Sequence, residues 1–416
     1  MDQKFVVHPQ VRTWLQRSII DPHVDKYISY LRDLRYSLST ERSYVYAVAH
    51  FAYWLSLEKA SLIKLSEETL SRFLSAHLPI CDCPYPVHRT THESRAAISH
   101  LLRVLRLNRA ITNQQKDAGP LDQELASFDR YMDHVRGLSP STRRQRLAIL
   151  RKFLLEEQGQ RLAGTRNISV SGIKRFVLKD RGSHNAGTVM VIGGALRCYF
   201  KFRSLEGDQV QRLLSAVPTA AHWRLAGIPE IFSQADVQRL LNAVEARGSS
   251  FRRTYAMLRC MTDLGLRACE VARLSLSDIN WDEGILTLPT SKLRRGHTLP
   301  LPQEVGQAIA DYLRLERPPT SDRSVFVRHR APYDKPIATA VVRRAIFCVY
   351  RRCGWQHYRV HMLRHSVAST LLKQGAPLKE IADLLRHRSL DTSMIYTKVD
   401  LPRLAAVALP WPGGQL

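Results

Sequence analysis

Acidic residues are scarce in this chain: 37 Asp and Glu stand against 62 Lys and Arg in 416 residues, a formal net charge of +25. Such an excess attracts polyanions by counterion release and speeds encounter with them. A solvated basic surface with no nucleic-acid role gives the same count, so charge alone decides nothing. Long apolar runs are also missing. None approaches the roughly 18 residues that mark a membrane span, and the longest, 189–196, stops at Arg197. The opening Met1-Asp2-Gln3-Lys4 lacks the apolar stretch of a signal peptide, so no secretory leader is expected. Cysteines number seven, an odd count scattered at 81, 83, 198, 260, 269, 348 and 353. That excludes an obvious disulfide framework and predicts a reducing, cytoplasmic setting. No Gly-x-x-x-x-Gly-Lys-[Ser/Thr] loop and no evident acidic metal cluster occur, so no nucleotide, metal or other cofactor is expected at a reactive site.

What the chain does have is helical patterning. The first 220 residues carry a faint internal repeat: Ser39-Thr40-Glu41-Arg42 through Phe51 aligns with Ser141-Thr142-Arg143-Arg144 through Phe153 at a constant offset of 102. Val45, Val48 and Phe51 fall opposite Leu147, Leu150 and Phe153, an apolar stripe in both copies. The Ser-Thr and Ser-Pro-Ser-Thr steps are N-cap signals. Two linkers, 110–119 and 217–229, then divide the chain, and Ser233-Gln234-Ala235-Asp236 opens the last region with a capping-box signature. Cys81-x-Cys83-x4-His88-x3-His92 offers four borderline-soft ligands that suit a tetrahedral zinc ion. Against this, the Cys-x-Cys gap is tight and Pro84 and Pro86 stiffen the loop, so a buried metal-free thiol pair with exposed histidines is the expectation.

The chemistry concentrates near the end. His361-Met362-Leu363-Arg364-His365 is followed by Arg386-His387 and then by Tyr396, nine residues beyond His387. Arg364 can fork onto phosphate oxygens, the histidines can move protons, and a phenol can attack phosphorus. Upstream lie Thr262-Asp263-Leu264-Gly265-Leu266-Arg267-Ala268-Cys269-Glu270 and Ser291-Lys292 with Pro300-Leu301, eight residues after the lysine. This ordered set resembles the tyrosine recombinases, the phage-integrase family. By that resemblance Arg267, Lys292, His361, Arg364, His387 and Tyr396 fill the six catalytic positions over roughly 130 residues. Each also has an ordinary structural reading: Arg267 as an ion-pair partner of Glu270, Tyr396 as one core aromatic among 15 tyrosines. One departure stands out. Arg386 occupies a place where the family often has glycine, which suggests an added phosphate contact.

The resemblance implies a mainly α fold with a small β-sheet: SAM-like helical core-binding domains followed by a mixed α+β catalytic domain. The expected boundaries are a helical arm at 1–115, a core-binding domain at 121–220, a catalytic domain at 229–400 and an apolar tail at 401–416 that docks on a neighbouring protomer. Within the core-binding domain, Arg197, Lys201 and Arg203 on its last helix are expected to be available to phosphates. Tyr396 would attack to give a 3′-phosphotyrosine, with His361 as base, Lys292 as acid to the 5′-oxygen, and Arg267, Arg364 and His387 on the phosphate. The implied partners are double-stranded DNA at specific recombination sites and further copies of the chain, a dimer on each site and a synaptic tetramer. Partner recombinases are compatible with this, a membrane is not, and the implied setting is the nucleoid of a bacterial cytoplasm. Integration or excision of a mobile element, resolution of replicon dimers, and a catalytically idle DNA-binding regulator all remain open. A type IB topoisomerase fits the motifs less well.

Overall fold

A computed structural model of the chain describes residues 7–111, 119–159, 165, 167–178, 185–221, 228–244, 248, 250–288, 296–333, 335–356, 359–387, 389 and 393–399. Lys292, the tail 401–416 and parts of both linkers lie outside these residues. The elements in order are α1 (Pro9–Gln16), α2 (Asp21–Asp33), α3 (Leu38–Leu57), α4 (Glu67–Arg72) running into a π-helical turn (Phe73–His77), and α5 (Thr91–Leu107). Next come α6 (Pro120–Arg130) with a second π turn (Tyr131–Val135), α7 (Pro140–Gln158), α8 (Val170–Leu178), α9 (Ala186–Leu205) and α10 (Gln211–Ala216). The last region holds α11 (Gln234–Asn242), α12 (Phe251–Thr262), α13 (Ala268–Arg273), β1 (Ile279–Asn280), β2 (Ile285–Leu288), β3 (His297–Pro300), α14 (Gln303–Leu315), α15 (Thr339–Arg352), α16 (His361–Lys373), α17 (Leu378–Leu384) and a 3₁₀ turn (Met394–Val399). The fold is mainly α with a three-stranded antiparallel sheet, as the sequence implies. No helix among the described residues is long and apolar enough to cross a membrane.

Two compact units emerge: Met1–Thr112 together with Gly227–Leu416, and Asn113–Ala226. Each helical region closes over its own apolar cluster. The first gathers Val11, Trp14, Tyr27, Leu31, Phe51, Trp54, Phe73 and Leu101. The second gathers Phe128, Leu150, Phe153, Ile173, Leu196 and Tyr199, and the third, around α12, joins Leu258, Leu286, Ile309, Phe326, Val349 and Leu363. Arg35 in the first region donates to the Pro319 carbonyl after α14 at 2.9 Å, a contact within the first unit.

The sequence repeat has a structural counterpart at the same offset. The Ser37 hydroxyl caps α3 by accepting from the Thr40 amide, and Ser139 caps α7 by accepting from Thr142. Before each cap the chain turns through a positive φ, +59° at Arg35 and +55° at Gly137. Phe51 and Phe153 then sit fully buried at equivalent positions, between three and four turns into each helix. A cap hydroxyl satisfies amides that no helical carbonyl reaches, so each repeat starts its central helix by the same device.

The sheet follows from turn chemistry and alternation. Gly284, at φ +62°, closes the turn after β1 where a side chain would be strained. Leu286 then pairs with Leu299 and Thr287 with Thr298; Leu286, Leu288 and Leu299 face the core while Thr287 and Thr298 are exposed. The hairpin loop that would carry Lys292 lies outside the described residues.

In the second unit two of the three cations expected to meet phosphates are already engaged. Arg197 donates to the carbonyls of Val217 and Pro218 at 3.1 and 2.9 Å. Arg203 is paired with Asp208 at 2.9 Å and Glu124 at 3.3 Å. Lys201 is exposed. Arg197 and Arg203 thus brace α9 against its neighbours. Removing either cap should reveal the worth of the repeated device: Ser37→Ala and Ser139→Ala are each expected to lower unfolding free energy by about 1 kcal/mol, measured as the shift of the urea midpoint of the full chain.

Candidate active site

The site forms where the loop after α12 meets the start of α16 and the end of α17. Gly265 makes this possible. It sits at φ +59°, and a Cβ there would lie 2.8 Å from the Leu385 side chain. Its carbonyl accepts from Arg364 Nη1 at 2.7 Å, in a buried hydrogen bond. Arg364 is only 4 % exposed, and its Nη2 is buried with no hydrogen-bond partner in the structure. A buried guanidinium nitrogen without a partner is costly. An anion placed on it would remove that cost.

Arg267 follows at the N-cap of α13. Its backbone amide donates to Glu270 Oε2 at 2.7 Å and its Nη1 to Oε1 at 2.8 Å, while Nη2 reaches the Arg386 carbonyl at 3.5 Å. Glu270 also accepts from Arg386 Nη2 at 2.7 Å. Burial alone would raise the Glu270 pKa, but the Arg386 and Arg267 guanidiniums outweigh it and hold the carboxyl below its ordinary value.

Arg386, expected to add a phosphate contact, is engaged within the protein. Its guanidinium is turned inward onto Glu270 and the Leu384 carbonyl, the latter at 2.8 Å. Its backbone stands at φ +54°. The turn entering His387 therefore requires the left-handed region, which explains why glycine is the commoner residue there. Arg386 bears that strain and returns an ion pair to the carboxylate that orients Arg267.

His361 begins α16, exposed at the mouth of the site. Desolvation first, then Arg364, Arg267 and Arg343, lower its pKa. His387 closes the other side: its Nδ1 lies 2.7 Å from Ser393 Oγ and its ring stacks on Tyr396 at 6.2 Å between centroids. Burial and the surrounding cations, Arg364 foremost, bring its pKa down to about 4. Arg364 itself falls to about 9 through burial and the nearby Arg267 and Arg386. All these shifts have one cause, a partly dry pocket with more positive charge than negative.

Tyr396, on the 3₁₀ turn, is 1 % exposed and packs with Ala368, Leu372, Ile381 and Leu385. Its hydroxyl lies 3.0 Å from Nδ1 of His365. Burial raises its pKa, opposed by Arg364 and Arg267. The imidazole on the phenol is therefore not His361, which the resemblance names as base, but the residue one turn along the helix. His361 and His365, four apart, lie on one face of α16 about one turn from each other. The 3₁₀ turn lands beside His365, and only the placement of that turn reveals it. Five of the six expected positions, Arg267, His361, Arg364, His387 and Tyr396, belong to this region; the sixth, Lys292, lies outside the described residues.

A helical domain with a small antiparallel sheet and this pocket has the fold of the tyrosine recombinases. Similar folds include the XerH site-specific recombinase bound to a palindromic difH substrate (TM-score 0.54, 19% identity, 74% of this chain and 94% of that one). A lambda integrase dimer bound to a core site is likewise similar (TM-score 0.51, 16% identity, 71% and 98% covered). Residues 230–402 match the Phage integrase family. Over 400 residues the chain is 32% identical to y4rA of Sinorhizobium fredii, a protein named as an integrase/recombinase, with 94% of each covered. It is 28% identical over 282 residues to the tyrosine recombinase XerA of Pyrococcus furiosus, covering 67% of this chain and 91% of that one. The chain belongs to the phage integrase family and is a tyrosine-type site-specific recombinase.

Two measurements test the pocket. Gly265→Ala combines a strained backbone with a clash at Leu385 and should destabilise the chain by about 1–3 kcal/mol, read from chemical unfolding. His387 has a folded pKa of about 4, below its ordinary 6.5. The unfolded state therefore takes up its proton first, and stability falls as pH drops from about 6.5 to about 4, with no contribution from this group above that window. His387→Asn should make the stability–pH curve shallower across that window.

Proposed function

We propose that this recombinase cuts and rejoins duplex DNA through a covalent 3′-phosphotyrosine at Tyr396, in the service of integrating or excising a mobile element. The observation that carries the proposal is the unpartnered, buried Nη2 of Arg364 in a pocket that also holds Arg267 and a phenol. A scissile phosphate fits that need: it accepts from Arg364, from Arg267 and from His387, which stabilise the charge gathered in the pentacoordinate transition state. His361, at the mouth, adds a contact to the same phosphate.

The phenol must lose its proton to attack. Burial, then His361 and Arg364, lower the pKa of His365, so its ring is neutral at pH 7. With the proton on Nε2, its Nδ1 accepts from the Tyr396 hydroxyl at 3.0 Å. We therefore assign proton removal to His365 in this conformation. The oxygen–phosphorus bond forms as the bond to the 5′-oxygen breaks; Lys292 supplies the proton to that leaving group, and the phosphodiester energy is kept in the phosphotyrosine. Water, nucleotide and metal are not required for the exchange.

The mobile-element role draws on the breadth of the likeness to y4rA, which spans the helical arm as well as the catalytic region. The similar lambda integrase forms a dimer on a core site and a tetramer on a Holliday junction. For this chain we propose the same course, a dimer on each site and a synaptic tetramer.

A nicked suicide substrate built from the element's ends separates the steps. Wild type should trap a covalent adduct on a denaturing gel, and Tyr396→Phe should trap none while binding the site nearly as well. Arg364→Ala should slow adduct formation by about 10²–10³-fold. His365→Gln should slow it by about 10²-fold or more and remove the dependence on an ionisation below pH 7, whereas His361→Gln should keep that dependence. Adduct formation by Tyr396→Phe would exclude Tyr396 as the nucleophile.

A further inference from the structure

Outside the recombination pocket, four side chains of the helical arm converge on one point. Nε2 or Nδ1 of His50 and His77 and the Sγ atoms of Cys81 and Cys83 all lie within 4.8 Å of one another. We propose that these residues form a structural zinc site, closed by two thiolates and two imidazoles. They come from three segments: His50 from the middle of α3, His77 from the last position of the π turn that extends α4, and the two cysteines from the loop that follows.

The geometry is close to what the ion demands. Zinc binds thiolate at about 2.3 Å and imidazole at about 2.0 Å, so tetrahedral ligand atoms stand roughly 3.3–3.8 Å apart. Cys83 Sγ and His77 Nε2 are already 3.4 Å apart. Contraction of the remaining separations by about an ångström completes the tetrahedron.

His50 supplies the independent observation. It is fully buried, and its Nε2 has no hydrogen-bond partner in the structure. Its Nδ1 lies 3.1 Å from the carbonyl of His88. A carbonyl only accepts, so Nδ1 carries the proton and Nε2 presents a lone pair. That is the usual second-shell arrangement of a metal-ligating histidine, whose other nitrogen donates to a carbonyl or carboxylate. Without an ion, a buried acceptor is left unmet.

The surroundings are partly buried and shaped by aromatic rings. The His77 ring stacks on Phe73 at 5.4 Å and leans against Trp54 at 5.8 Å. Arg89 donates to the Cys81 carbonyl at 3.2 Å and so fixes the loop that carries both thiols. The π turn matters here: its extra residue per turn changes the direction in which His77 leaves the helix. With all four positions filled by protein, no site remains for water or substrate, so the ion is structural. On binding, the two thiols release their protons to solvent, and two thiolates balance the charge of one divalent ion.

These are not the ligands that sequence spacing selects. His88 Nε2 lies 2.8 Å from Glu93 and 3.0 Å from Ser43, and its Nδ1 lies 3.3 Å from Ser94. His88 therefore serves through its backbone carbonyl, and its ring is half-buried rather than exposed. His92 is exposed on the first turn of α5.

Elemental analysis of untagged full-length protein, dialysed against metal-free buffer, should find one zinc per chain. His50→Ala, His77→Ala and Cys83→Ser should lose it, and His92→Ala should keep it. Should those variants fold poorly, wild type still reports: a mercurial thiol reagent added to native protein should release the zinc as two thiols react. Cobalt exchanged into the site should give the intense visible bands of tetrahedral coordination. Protein with no stoichiometric zinc and free thiols, a Cys81–Cys83 disulfide in unreduced mass spectra, or zinc retained by His77→Ala but lost by His92→Ala would each overturn the assignment. Zinc removal should also make residues 78–90 the first point of proteolysis, and unchanged cleavage after removal would overturn the structural role.

Discussion

One carboxylate, Glu270, organises a pocket that otherwise repels itself. Arg267 and Arg386 both lie against it, at 2.8 and 2.7 Å, while Arg364 is held by the carbonyl of Gly265. Three guanidiniums brought together in partly buried space carry a large repulsion unless something negative is fixed among them. Glu270 offsets part of it and leaves the rest unmet. The unmet part leaves oriented guanidiniums with an excess of positive charge. A second carboxylate would have neutralised that excess.

That economy explains the histidines as well. Each has its pKa lowered by desolvation and by charged neighbours, so each still has a lone pair to offer. In the proposed reaction an arriving phosphate would offset the local field and raise their proton affinity. On that proposal the imidazoles become better proton acceptors only with substrate in place.

Much of this was legible in sequence because order and spacing carry it. Arg267 with Glu270 three residues on, Arg364 three residues after His361, and Tyr396 nine after His387 are local relations that a helix or a turn preserves. The pairing of β2 with β3 rests on the turn at Gly284 and on alternation along both strands. What spacing could not give was direction across the fold. His365 looks secondary along the chain and becomes the phenol's partner only because the 3₁₀ turn lands on its side of α16. Arg386 looks like a free cation until its left-handed backbone turns it inward. Arg197 and Arg203 have the composition of a DNA-contacting face, yet their partners at 217, 218, 208 and 124 are distant in sequence or lie beyond a turn. His50 is separated from Cys81 and Cys83 by a whole helix, while His77, four residues before Cys81, meets them only because the π turn ends beside the loop.

The chain's first unit is assembled from both of its ends, Met1–Thr112 with Gly227–Leu416, and the second from the stretch between. In sequence the middle unit is an insert, and its host is discontinuous. The host cannot be completed until residues beyond 227 have left the ribosome, so the helical arm waits for its partner while the middle unit is made. A cluster able to stand on its own core during that interval, as the arm's Trp14–Phe51–Phe73–Leu101 group is placed to do, is what such an order of assembly calls for.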